Sequence, residues 1–236
     1  MAIEAAHRAI KLSGWGRYPI LDCRTISARG RDDVVAAIES SSSLIARGLG
    51  RSYGDAALNP SGTLAMALAD RLIDFNVETG LVECEAGLSL AELLRIFVPR
   101  GWFPPVTPGT KHVTIGGMIA ADVHGKNHHR GGSFGRHVER LSLATADGRV
   151  IACSPAENAD LFAATIGGMG LTGVILSAAF RLVPIETAYV RQQSHGAGNL
   201  TEALAMLDEQ TSATYGVAWI DCLAGGCGAG RSIVFT

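Results

Sequence analysis

Four stretches of this chain collect residue types that recognise anions and flat ligands. The first is ARGLGRSYGD, residues 46–55, with Gly48, Gly50 and Gly54 set beside Arg47 and Arg51. Glycine lets successive backbone N–H groups turn into one concave nest that takes an anionic oxygen, and arginine adds charge, so a pyrophosphate is the natural guest. Leu49, Ser52 and Tyr53 share that loop. Its spacing, G-x-G-x-x-x-G, is one residue longer than the dinucleotide fingerprint, and no helical pattern opens behind it, so taken alone it suits a plain surface turn as well.

The second stretch, PGTKHVTIGGMIAADVHG, residues 108–125, places small residues at Gly116, Gly117, Ala120 and Ala121, where backbone could lie against a large planar ligand. Gly109 adds a further bare position, Thr110 and Thr114 offer hydroxyls, and Val123 and Gly125 flank His124. The third, HGKNHHRGGSFG, residues 124–135, brings His124, Lys126, His128, His129 and Arg130 together. His124 and His128 are four apart, a metal-ligand spacing on a helix, but Gly125 and the pair Gly131 and Gly132 speak against a helix, and no metal site is assigned. A positive loop suits charge developing on a bound ring or anion better, while His128, His129 and Arg130 also fit a solvated basic turn. The fourth, GMGLTG, residues 168–173, is a literal G-x-G-x-x-G, yet a helix pattern precedes it and a strand pattern follows. A nicotinamide-type Rossmann site needs the opposite order.

These stretches must be held by regular elements. Residues 25–40 read as a link into an amphipathic helix, residues 43–46, 63–67 and 81–85 as short strands, and residues 88–97 as a helix capped by Ser89 and ended by Pro99 and Gly101. Residues 101–135 are too rich in glycine and proline for one regular element and too apolar for a disordered linker, so an ordered functional loop is expected. Residues 141–145 and 150–153 make a hairpin about Asp147 and Gly148, residues 158–166 a helix, and residues 174–183 a long strand. The texture then changes: a polar link at 191–196, a helix at 200–207, a strand at 215–221 and strand character at 232–236. An α+β domain over residues 13–185, followed by the beginning of a second unit over 186–236, is therefore expected. An apolar strand at the very end suggests a chain that continues past Thr236.

Composition sets bounds. Twenty Lys and Arg against twenty-two Asp and Glu leave a formal charge of -2, which gives no overall field for nucleic acid. The five cysteines form no C-x-x-C pair, so a zinc site or disulfide framework is not indicated. The opening residues carry Glu4, His7, Arg8 and Lys11, unlike a secretory leader, and no apolar run approaches the ~18 residues that span a bilayer. An intracellular, soluble protein without a transmembrane segment is the expectation, with association at a membrane surface left open.

Together, residues 46–59 (ARGLGRSYGDAALN), 108–138, 145–150 (TADGRV) and 167–175 (GGMGLTGVI) resemble, in order, the FAD-binding domain of the vanillyl-alcohol oxidase superfamily, the PCMH type. HGKNHH is similar to its sugar-oxidising branch. The resemblance implies a two-subdomain α+β cradle with FAD extended between the subdomains, then a substrate domain that this chain would hold only in part. It implies that Arg47 to Asp55 hold the pyrophosphate, that Gly109 to His124 run along the diphosphate and isoalloxazine, and that the backbone of Gly170 to Ile175 flanks the adenosine. Relatives with a covalent flavin carry histidine where Arg51 stands, so non-covalent FAD is implied. The implied reaction oxidises a secondary sugar hydroxyl, for a polyprenyl-phosphoryl sugar as half of an epimerisation that a partner keto-reductase completes. His124 and Lys126 match residues near flavin and sugar, and so stand as the catalytic candidates. The alternative is a non-catalytic FAD-binding fragment.

Overall fold

The computed structural model describes residues 8–209 and 211–236; Glu4 and His7 of the charged opening lie outside them. The first antiparallel pair joins β1 (Arg8–Ser13) to β2 (Ile20–Ser27), with Lys11 opposite Asp22. After α1 (Arg31–Glu39), strands β3 (Ile45–Arg47) and β4 (Thr63–Ala65) add in parallel, giving the order β1-β2-β4-β3. The expected link at 25–40 is thus partly strand. Buried Cys23 and Ile26 fall three apart in β2, so its inward residues do not alternate strictly and the strand is hard to read from pattern alone.

The chain continues through β5 (Leu72–Asn76), β6 (Leu81–Glu85), α2 (Leu90–Phe97), β7 (Trp102–Phe103), α3 (Ile115–Ala120), α4 (His128–Gly131), β8 (Val138–Ala144), β9 (Val150–Cys153), α5 (Ala159–Thr165), β10 (Val174–Arg181) and β11 (Val183–Pro184). Strands β5-β6-β10-β8-β9 form an antiparallel sheet. Ser89 caps α2 by accepting from the Glu92 amide at 3.1 Å, as the sequence predicts, and Leu90, Leu93 and Phe97 form its buried stripe.

Strand β10 is apolar almost throughout because it is a wall shared by two cores. Ile175, Ala178 and Phe180 pack with α2 and α3, while Val174 and Leu176 pack with α1 and β4 through Val34, Leu64 and Met66. Each fully buried Leu, Ile or Phe contributes about 1.5–3 kcal/mol.

Residues 101–135 hold more regular structure than expected. IGGMIA is a poor helical sequence, yet α3 forms because the Thr114 hydroxyl accepts from the Gly117 amide and Ile115, Met118 and Ile119 are buried. The glycines near His128 do not prevent a helix either. One turn, α4, closes through Gly131 N–H to Asn127 O at 2.7 Å and Gly132 N–H to His128 O at 3.0 Å.

Beyond β11, β12 (Ser194–Ala197), α6 (Leu200–Glu209), β13 (Val217–Ile220) and β14 (Ser232–Phe235) build a sheet of order β12-β14-β13 with its own small core of Ala197, Ala203 and Val234. The polar link at 191–196 includes most of edge strand β12, whose exposed residues leave no apolar signature.

Candidate functional site

A cleft opens between the loop after β3, helix α3 and the turn before β10. Gly48, Leu49, Gly50, Arg51 and Ser52 line one side. Thr114, Gly116, Gly117, Ala120, Ala121 and Val123 line another, and Gly170 and Ile175 close the third. Segments more than a hundred residues apart in the chain therefore share one cavity.

The site's backbone donors are unevenly committed. At the start of α3, Ile115 N–H donates to Leu88 O (2.9 Å), Gly116 N–H to Ala86 O (2.8 Å) and Gly117 N–H to the Thr114 hydroxyl (3.2 Å). These donors are spent on the protein itself. Among the described residues, the N–H groups of residues 48–52 donate to no protein acceptor. Backbone N–H groups free of protein acceptors are the kind that can receive an anionic oxygen.

The glycines divide in the same way. A Cβ on Gly48 would stand 2.2 Å from Thr114 Oγ1, and one on Gly116 would stand 2.8 Å from the Ala86 Cβ. Their bareness lets protein segments close on each other. Gly117 is different: a Cβ there would meet only Thr114 Oγ1, at 3.1 Å, on an exposed part of the cleft wall.

Several residues singled out in the sequence do not line the cleft. The Arg47 guanidinium donates to Ser13 O (2.8 Å) and Ala57 O (3.3 Å), and burial lowers its pKa, an effect Cys23 opposes and Arg51 reinforces. It braces the loop from behind. Arg51 does line the cleft, but its guanidinium is turned to its own loop, donating to Leu49 O at 2.5 Å, with its carbon 5.6 Å from the centre of the Trp15 ring. Tyr53 points to solvent. Gly109 faces open space, and the Thr110 hydroxyl accepts from the His112 amide. A Cβ on Gly125 would stand 2.3 Å from Thr107 O, so its bareness serves chain packing.

His124 and Lys126 stand just past Val123, outside the lining, with exposed side chains. The backbone of His124 bridges to Ser133, and its ring meets that of His128 edge-on at 5.2 Å. The loop they occupy is tied to the segment before β13. Lys126 O accepts from the Gly216 amide (2.8 Å), His129 Nε2 lies 2.9 Å from Ala213 O, and Arg130 donates to Ser212 O (2.6 Å).

Sequence reading missed Met66 and Ala86 in the lining, and touched Ala46, Ala56, Ala57, Val113, Met118, Met169 and Gly173 only as parts of longer stretches. Ala86 with Gly87, and the Ala56–Ala57 pair, are small residues next to loops and could have been flagged on that ground. Met66 and Met118 look like ordinary core residues and give no such signal.

Residues 25–154 match the family model described as the FAD binding domain. The chain belongs to that family. It is 41% identical over 233 residues to decaprenylphosphoryl-beta-D-ribose oxidase of Mycolicibacterium smegmatis, a match covering 95% of this chain and 51% of that protein. It is 31% identical over 159 residues to an uncharacterized oxidoreductase of the fasciation locus of Rhodococcoides fascians, covering 67% of this chain and 36% of that protein. To human Delta(24)-sterol reductase it is 27% identical over 113 residues, covering 48% of this chain and 22% of that one. The chain thus spans about half the length, or less, of these relatives. Among the described residues no helix is long and apolar enough to cross a membrane.

Proposed function

We propose that this chain is the flavin-holding part of an FAD-dependent oxidoreductase that oxidises a secondary hydroxyl of a sugar to a ketone, with a polyprenyl-phosphoryl sugar as its substrate. The observation that carries the reading is the convergence of residues 48–52, 114–123 and 170–175 on one cleft, with uncommitted amides on the first of them. Those amides hold the diphosphate. Gly117, Ala120 and Ala121 give a flat wall for the ring system, and Val123 and Met118 keep water from it. Bound FAD supplies an acceptor, N5, for the hydride leaving the sugar carbon. His124 and Lys126, at the cleft's edge, orient the sugar and take the hydroxyl proton. Arg51 offers no nucleophile for a bond to the flavin, so the cofactor is held without one.

In this reading residues 13–185, with the rest of β1, form a two-lobed cradle, one lobe on each sheet, and residues 186–236 begin the substrate side; the separate core around Val234 supports the division. A partner keto-reductase completes the epimerisation. Purified chain is expected to be yellow and to release all its flavin on acid precipitation. A colourless protein that takes up no FAD refutes the reading. The half-length match to the M. smegmatis oxidase favours one second reading, an FAD-binding unit that does not turn over by itself. Flavin that no polyprenyl-phosphoryl ribose bleaches, and that stays reduced with a quinone-type acceptor after photoreduction, distinguishes it.

A further inference from the structure

The turn ahead of β10, residues 167–170, is clamped to the end of α3. The Gly167 amide donates to Ile119 O at 3.0 Å and the Met169 amide to Ala120 O at 2.8 Å. Its backbone enters the left-handed region at Gly167 (φ 72°), Met169 (φ 52°) and Gly170 (φ 79°). Glycine takes that conformation freely, whereas an L side chain brings its Cβ against the following carbonyl, so Met169 is the strained member of the turn. Strain of this kind persists only where the surroundings fix the conformation, as the two bonds to α3 do. Asp122, also left-handed (φ 40°) and set between the cleft-lining Ala121 and Val123, gives its side chain to the fold: Oδ1 accepts from the Gly135 amide at 2.8 Å. The Met169 side chain has no such bond to make. Met169 lines the cleft and is 39% exposed, whereas Met66 and Met118, which line it too, are buried members of the two cores.

A turn of this shape is served by glycine at every left-handed position, so the turn itself gives no reason for a side chain at residue 169. A methionine there adds apolar, adaptable volume to the cleft wall, and its polarisable thioether packs well against aromatic rings. The cofactor of this family, FAD, carries two of them, adenine and isoalloxazine. The geometry points to Met169 as a cofactor-binding residue, held in a left-handed backbone so that its side chain covers a ring of bound FAD. The inference rests on the part of the reading above that places FAD in this cleft, and not on the sugar substrate.

Met169→Gly and Met169→Leu, made in this chain, are the test. Met169→Gly relaxes the backbone and removes the cover: its melting temperature without FAD is expected to rise by about 2 °C, and its FAD affinity in a fluorescence titration to fall about tenfold. Met169→Leu keeps apolar volume on the same backbone and is expected to hold FAD within about threefold of wild type. ADP and FMN, which carry one ring each, are titrated in parallel, and the one that loses affinity together with FAD in Met169→Gly identifies the ring that is covered. FAD affinity unchanged in Met169→Gly, or not restored by leucine, overturns the inference, as does a loss shared by neither ADP nor FMN. So does a loss of affinity accompanied by a lower melting temperature without FAD, which would assign the side chain to the packing of the protein itself. Wild-type chain that takes up no FAD strikes the functional reading and this inference together, whereas FAD-binding wild type with indifferent variants strikes the inference alone.

Discussion

Replacing Gly48 by alanine tests how the cleft is assembled. The added Cβ would sit 2.2 Å from Thr114 Oγ1, 3.1 Å from its Cγ2 and 3.2 Å from its Cβ, well inside ordinary contact. Thr114 is 2% exposed and caps α3, so it cannot swing aside without surrendering the bond to Gly117. Overpacking costs about 1–3 kcal/mol and a lost N-cap about 1 kcal/mol, so Gly48→Ala is expected to destabilise by about 2–4 kcal/mol. Thr114→Ala alone loses only the cap, about 1 kcal/mol. In the double variant the two nearest clashing atoms, Oγ1 and Cγ2, are gone, and its stability should lie near that of Thr114→Ala, leaving a coupling of about 2–4 kcal/mol. Urea denaturation of the four proteins measures the cycle, with FAD titration alongside. Costs that add within about 0.5 kcal/mol would refute the claim that Gly48 is bare for the sake of Thr114.

Gly117→Val is expected to do the reverse, abolishing FAD retention while the unfolding free energy moves by less than about 1 kcal/mol, since its side chain enters the cleft; retained flavin after gel filtration contradicts this. In a turnover-competent protein carrying this sequence, His124→Ala should leave FAD affinity unchanged and lower kcat about 100-fold or more, which steady-state kinetics can check. Cys23, Cys84 and Cys153 are buried, and burial pushes the Cys84 thiol far up, whereas Cys222 and Cys227 are exposed. A native-state thiol titration should therefore count two fast groups and reach five only in denaturant.

Strong local patterns made much of the fold legible. The Ser89 cap with its buried stripe, the Asp147–Gly148 hairpin and the long apolar β10 are all specified within a few residues of chain. What escaped was decided by tertiary context. β5 is exposed along most of its length and β12 is an edge, so neither carries an alternating pattern, and α3 stands on Thr114 and burial against the intrinsic preference of its two glycines. At the site, glycines from three of the clusters lie along the cleft, but the sequence could not say which bare positions face outward. Gly48 and Gly116 face protein and Gly117 faces the cavity, a distinction set by the placement of Thr114 and Ala86. Arg47 was misleading for a related reason: a guanidinium beside a glycine loop suggests a ligand charge, but this one is consumed by two carbonyls behind it.

Because β10 contributes side chains to both large cores, neither core can melt and leave the other intact. Pulling Val174 and Leu176 away from α1 drags Ile175 and Phe180 from beneath α3, so the chain from β1 to β11 loses its order as one cooperative unit. The cofactor would then be surrendered all at once, and its release would report the melting of both halves together.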